Sequence, residues 1–219
     1  MIGTPIDLAH TAFVDGPVRL PSGIELERSG DADRQIVQWL ASFAGAFFAV
    51  VRQGRSWTLY PSAANGCVYD ARTGRMGTTA AALLADGDYD ARLDRPFIRA
   101  MAVAENGWLP AGLTGHDGVH RLLPNHALDI GSLRPRRIWR GATRTGTSPE
   151  VLVERIAEIA TRTITAAAKN HRLKLALSAG RDSRAVLALT ASLSLKPETF
   201  TVAHAGAGLD VTVPRELSE

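Results

Sequence analysis

The first two thirds of the chain carries short apolar runs broken by turn residues, the pattern of small strands and short helices. Asp33-Arg-Gln-Ile-Val-Gln-Trp-Leu40 fits a short helix. Gly45-Ala-Phe-Phe-Ala-Val-Val51 reads as a buried strand, Gln53-Gly54 as a hairpin turn, and Ser56-Trp-Thr-Leu-Tyr60 as the partner strand. Cys67-Val-Tyr69 and Met76-Gly-Thr78 predict further short strands. Thr79–Leu84 starts a helix, and Arg95–Ala104 predicts another. Val119–Ile130 is broken by Pro124-Asn125, as in a turn between two short strands. Residues 1–145 therefore read as mostly β with a few helices.

The pattern changes after residues 141–148, Gly-Ala-Thr-Arg-Thr-Gly-Thr-Ser, which have the composition of a linker. Ser148-Pro149-Glu150 then supplies a cap, a proline at the first helical position and an acid in the first turn. The helix should run to about Lys169, with Leu152, Ile156, Ile159 and Thr163 on one face. Leu173-Lys-Leu-Ala-Leu177 follows as a strand covered on both faces. Ser178-Ala-Gly-Arg-Asp-Ser183 is a tight polar turn, and Ala185, Val186, Leu187 and Leu189 carry the apolar face of a second helix. Glu198-Thr-Phe-Thr-Val-Ala203 is a second strand, so the segment predicts a βαβ unit. The chain holds no internal repeat or low-complexity run.

The strand–turn–helix carries the chemistry. A helix opening straight off a strand points unpaired N–H groups and the positive end of its dipole at the turn, an anion site that phosphate commonly fills. Gly180 allows an anion close approach to the backbone, and Ser178 and Ser183 add hydroxyl donors. An ordinary helix-capping turn is the alternative. A Walker A string is absent. Ala176-Leu-Ser-Ala-Gly180 also resembles a nucleophile elbow with Ser178 as nucleophile. That reading needs an acid and then a histidine downstream, but His204 precedes Asp210.

The chain has 219 residues, room for one large domain or two small ones. Its formal net charge is +3 and its pI about 9.4. Nearly all basic residues are arginine, and lysine occurs only at 169, 174 and 196. Arg134, Arg136, Arg137, Arg140 and Arg144 cluster without interleaved aromatic runs, which reads as a solvated linker rather than a nucleic-acid patch. The single cysteine, Cys67, excludes a disulfide framework and reads as core, and the six histidines show no metal-ligand spacing. The N-terminus lacks the charge and apolar pattern of a signal peptide, and no run is long enough to span a bilayer. The expectation is a soluble, cytoplasmic protein without nucleic-acid or membrane partners.

Ser178-Ala-Gly-Arg-Asp-Ser183 resembles the PP-loop, the S-G-G-x-D-S signature of ATP pyrophosphatases, with Ala179 in place of one glycine. If that position needs positive φ, alanine costs about 1 kcal/mol there. More of the chain is similar to the asparagine synthetase family. Gly45-Ala-Phe-Phe-Ala-Val-Val51 resembles its Gly-Asp-Phe-Ala strand. Gly107–Thr114 with Gly118–His126 resembles the segment closing its first domain, and Arg137-Ile-Trp139 resembles the lead into its second. Thr199-Phe-Thr-Val202 and Asp210 resemble the second strand and the acid beyond it.

The resemblance implies an α+β first domain, a degenerate Ntn-hydrolase-like αββα unit over residues 1–145. It implies that residues 146–219 start an α/β PP-loop domain of the adenine nucleotide alpha hydrolase-like kind. By resemblance, Leu177 and Val202 offer backbone groups to adenosine, and Ser178, Gly180 and Ser183 hold pyrophosphate. Arg181, at the variable position, tunes nucleotide affinity. Asp182 orients Mg²⁺, or serves only in the cap region of the helix. The implied activity is that of an asparagine synthase-like, ATP-dependent amide ligase acting on a small-molecule or peptide carboxylate, with a homodimer left open.

Two departures shape that expectation. The family's glutaminase uses an N-terminal cysteine, whereas position 2 is isoleucine, so glutamine hydrolysis is not expected and the nitrogen comes from ammonia or an amine. A PP-loop domain also has further strands and a pyrophosphate-side lysine. The chain is therefore read as the N-terminal part of the family, a fragment or a truncated gene, without ligase turnover alone. The rival expectation is a non-catalytic homologue acting as a binding or scaffold protein.

Overall fold

The computed structural model describes residues 1–14, 16, 18, 32–62, 66–138, 146–203 and 208–218. In chain order its first elements are β1 (Ile2–Gly3), β2 (Ile6–Asp7), β3 (Ala12–Phe13), α1 (Ala32–Leu40), β4 (Phe43–Ala44), β5 (Phe47–Gln53), β6 (Ser56–Pro61), β7 (Cys67–Asp70) and β8 (Arg75–Gly77). The helices α2 (Ala80–Leu83), α3 (Asp86–Arg92), α4 (Arg95–Ala100) and α5 (Val103–Asn106) follow, then β9 (Val119–Leu122), β10 (His126–Asp129) and β11 (Pro135–Arg137). The last elements are α6 (Pro149–Asn170), β12 (Lys174–Ala176), α7 (Arg181–Ser192), β13 (Glu198–Phe200) and α8 (Gly208–Ser218). The protein thus mixes α and β structure, with several small antiparallel sheets. Two compact units form, one of Met1–Pro5 with Val14–Ala142, the other of Ile6–Phe13 with Thr143–Glu219.

In the first unit, β5 and β6 pair from Phe48↔Pro61 down to Gln53↔Ser56. Gly54 takes the positive φ of +58° that the turn needs and that most residues avoid. β10 joins β6, β11 joins β10 and β1 joins β5, giving a five-stranded antiparallel sheet in the order β1-β5-β6-β10-β11. At Gly3, φ is +120° and a Cβ would sit 2.4 Å from the Ala46 carbonyl oxygen, so only glycine fits the edge pairing. A second sheet has the order β8-β7-β9.

Alternation along β5 explains the layering. Phe47, Ala49 and Val51 are buried with Ile36 of α1, Tyr60 and Ala127. Phe48 and Val50 point the other way, onto Leu59, Cys67, Tyr69, Leu122, Leu128 and Leu133, a cluster shared with the second sheet. Val68 and Val119 of that sheet bury against Leu83 and Leu84 on its outer side. The packing order is helix, sheet, sheet, helix.

The second unit holds the β2–β3 hairpin, with Ile6 opposite Phe13, and the long helix α6. The Ser148 hydroxyl accepts from the Val151 N–H at 3.4 Å, as its cap position implies. Arg162 of α6 donates to the Leu8 carbonyl at 2.9 Å, and the His171 ring meets Phe13 edge-on at 5.0 Å. β12 and β13 pair in parallel, Lys174↔Glu198 through Ala176↔Phe200, with α7 as the crossover.

Several local expectations need correction. The Arg95–Ala104 helix is two short ones, because Ala102 adopts a left-handed conformation at φ +49°. The Leu173–Leu177 strand is not covered on both faces. Lys174 and Ala176 are exposed and only Leu177 is buried, since one partner strand and one helix cannot cover two faces. The α6 face expected to pack is open, with Leu152, Ile156 and Ile159 all exposed. The arginine cluster is no simple linker: Arg136 lies in β11 and holds Asp33 through two bonds of 2.6 and 2.7 Å. Trp139, Arg140, Arg144, residues 141–145 of the expected linker and His204 lie outside the described residues.

Candidate functional site

β12 ends at Ala176, and after four residues α7 begins, with Gly180 as its N-cap at φ −62° and ψ 149°. The helix starts at Arg181, inside the stretch expected to be turn. Arg181, Asp182 and Ser183 are therefore its first three residues, positions whose N–H groups have no helical partner. None of these three N–H groups finds an acceptor among the described residues, and the positive end of the α7 dipole lies with them. Ala179 is not among the residues with positive φ, so alanine carries no backbone penalty in place of the signature glycine.

The two hydroxyls close on each other. Ser183 Oγ accepts from the Ser178 N–H at 3.1 Å and lies 3.2 Å from Ser178 Oγ, which accepts from the Gly180 N–H at 3.1 Å. The Ser183 hydroxyl can donate to the carbonyl of Ser178 or of Gly180, at 3.1 and 3.2 Å. A Cβ on Gly180 would come within 3.0 Å of Ser178 Oγ, so glycine serves close packing here and not an unusual φ. Ser183→Ala should raise the hydrogen-exchange rate of the Ser178 amide several-fold, the equivalent of about 1 kcal/mol for a neutral hydrogen bond. An unchanged rate would remove Ser183 from its tying role.

The other candidates separate. Leu177 is buried and both its backbone groups are engaged: its N–H donates to the Phe200 carbonyl, and its carbonyl accepts from the Thr201 hydroxyl, both at 2.9 Å. Its N–H is therefore engaged, and the second lone pair of its carbonyl remains. Val202 lies just beyond β13 and is 71% exposed. Arg181 and Asp182 are exposed in the first turn of α7. Asp182 has no ion pair among the described residues, which leaves its carboxylate free for a cation. Magnesium needs only one or two protein carboxylates when phosphate oxygens and water supply the rest, and Asp182 fits that donor set. No group of three or more metal-binding side chains occurs among the described residues.

Two partners of the loop were not legible as such. Asp210, in the first turn of α8, accepts from the Ala179 N–H at 2.9 Å through Oδ1, so a carboxylate already sits on one loop amide. Thr201 ties the end of β13 to the residue that opens the loop. The hydroxyl in Thr199-Phe-Thr201 and the acid at 210 are visible in the sequence, but nothing local says that they meet residues 177 and 179. The elbow reading of Ser178 gains no base: its hydroxyl engages Gly180 and Ser183, and no histidine bonds to it among the described residues.

Cys67 lies in the core with its thiol pushed up to about 11 by burial, so it is held as the unreactive thiol. With isoleucine at position 2, the chain should release no ammonia from glutamine, and release abolished by Cys67→Ala would overturn this. No helix among the described residues is long and apolar enough to cross a membrane. Comparison with protein-family models, curated proteins and solved structures gives no match to this chain.

Proposed function

We propose that the second unit carries the nucleotide loop of an ATP-dependent, AMP-forming amide ligase of the asparagine synthetase kind, without a working glutaminase. The observation that carries this reading is the junction of a parallel strand with α7, where three helix-start N–H groups lack acceptors among the described residues, beside Ser178, Gly180 and Ser183. Such a junction favours phosphate by hydrogen bonding and by dipole. The reaction answers a chemical problem. Hydroxide is a poor leaving group, so a carboxylate is first joined to AMP with release of pyrophosphate, and an amine then displaces AMP. Asp182 would hold Mg²⁺, which neutralises phosphate charge. Arg181 would add a charge-assisted contact, and Val202 a backbone edge near the nucleoside. The helix, sheet, sheet, helix order of the first unit and Ile2 in its edge strand β1 fit a glutaminase-like fold that has lost its nucleophile.

Titration of the isotope-labelled chain with magnesium pyrophosphate, followed by amide shifts, tests the loop. Saturable shifts at residues 178–184 are expected, weakened about three- to tenfold in Arg181→Ala because the arginine is exposed. Shifts that never saturate would overturn the assignment.

A second reading, a non-catalytic binding protein, is favoured by the Asp210 carboxylate on the Ala179 amide, which competes with an incoming anion. The two readings part at Asp210→Asn. On the ligase reading the loop is a working anion site, and removing the competing charge should tighten pyrophosphate binding several-fold. If neither the parent chain nor the variant binds, the non-catalytic reading stands.

A further inference from the structure

A cleft of about 460 Å³ opens in the second unit at the opposite ends of β12 and β13 from the nucleotide loop. Leu173, Leu195 and Pro197 form an apolar floor, and His171, Arg172 and Lys196 stand around it. We propose that this cleft binds a small organic oxyanion, a phosphate or carboxylate group carried on an apolar body. The proposal does not depend on the ligase reading, because none of these residues belongs to the loop.

Charge argues for the anion. Arg172 and Lys196 line the cleft, and Lys174 at the start of β12 reaches its Glu198. These three cations stand against Glu198. Glu198 bridges Arg172 at 3.2 Å and Lys174 at 3.4 Å, so a carboxylate already occupies part of this cationic field. The Lys196 ammonium and the His171 ring nitrogens have no partner among the described residues. The C-terminal ends of α6 and α7 draw some positive charge to this end by their dipoles. That demand is about half a charge per helix and leaves the cluster net positive. The apolar floor argues for the body: a bare ion would leave Leu173, Leu195 and Pro197 wet, and the volume lies in the range of small-molecule sites. Arg172 presents a planar fork that suits the two oxygens of a carboxylate or phosphate.

Amide-shift titrations of the full chain with phenyl phosphate, benzoate and inorganic phosphate test this. Saturable shifts are expected at residues 168–173 and 195–198, with phenyl phosphate or benzoate binding at least tenfold tighter than inorganic phosphate. Which of the two binds tighter identifies the headgroup. Lys196→Ala and Arg172→Ala should each weaken binding about three- to tenfold, and Glu198→Gln should tighten it. Shifts confined to residues 178–184, unsaturable shifts, or affinity in both alanine variants unchanged from the parent chain would overturn the proposal. The readout by residue keeps its failure separate from that of the loop.

Discussion

Arg92→Ala should lower the unfolding free energy of the first unit by about 3–5 kcal/mol, because it strands a buried carboxylate. Asp70 is fully buried at the end of β7 and takes the Arg92 guanidinium at 2.6 Å. It also accepts from the Arg72 N–H at 2.9 Å and the Thr73 hydroxyl at 3.0 Å. Arg92 in turn donates to the Asp117 carbonyl through Nε at 2.8 Å and a second nitrogen at 2.6 Å, so one side chain ties α3 to the loop before β9. A loss of this size is a large part of the 5–15 kcal/mol typical of a domain. Urea unfolding of parent and variant measures it, and a shift below about 1 kcal/mol would show that the pair is not buried in solution. Removing both charges with apolar residues of similar size should cost far less than removing one.

The same pair sets an acid limit. The Arg92 guanidinium beside it holds the Asp70 carboxyl at about 2, below its ordinary value near 3.9. The unfolded chain therefore takes up this proton first as the pH falls. The contribution is complete above about pH 4 and is lost as the pH drops through about 2. In Arg92→Ala, acid unfolding should begin at a higher pH than in the parent chain.

Leu128→Ala should cost about 2–5 kcal/mol, the range for deleting a buried leucine side chain and leaving a cavity. Leu128 is wholly buried on β10, where Leu59, Cys67 and Tyr69 surround it. Leu128→Met conserves volume and should cost under about 1.5 kcal/mol. Ile156→Ser is the contrast. That isoleucine is 66% exposed on α6, and its loss should stay within about 0.5 kcal/mol. Equal losses at 128 and 156 would mean that the α6 face is covered in solution.

These contrasts mark what the sequence could reveal. Gln53-Gly54 between two apolar runs located the β5–β6 hairpin, because a tight turn between alternating segments is a local signal. Ser148-Pro149 located the start of α6 for the same reason. The strand–loop–helix at 174–192 was legible from composition and turn chemistry, apart from the helix starting at Arg181. Burial was harder, since it depends on what the rest of the chain brings. Leu152 and Ile156 have the spacing of a packed face and are exposed, whereas Asp70 has the look of a turn residue and is fully buried. Arg92 and Asp70 are 22 positions apart and Asp210 lies 31 from Ala179, so no local pattern could pair them. The edge strand β1 and the hairpin of β2 and β3 are two residues per strand, too short for periodicity to register.

The tie between α1 and β11 has an optical consequence. The Tyr60 hydroxyl donates to Asp33 Oδ1 at 2.5 Å, on the same carboxylate that Arg136 grips. Burial, then the hydrogen bond to Asp33, pushes the Tyr60 phenol far above its ordinary range. The chain has three tyrosines, and Tyr69 is also raised, by its burial. Alkaline titration followed by phenolate absorbance should therefore leave Tyr60 silent while this tie is intact. Its late signal would mark the moment when α1 lets go of the sheet, giving the first unit a built-in reporter that needs no label.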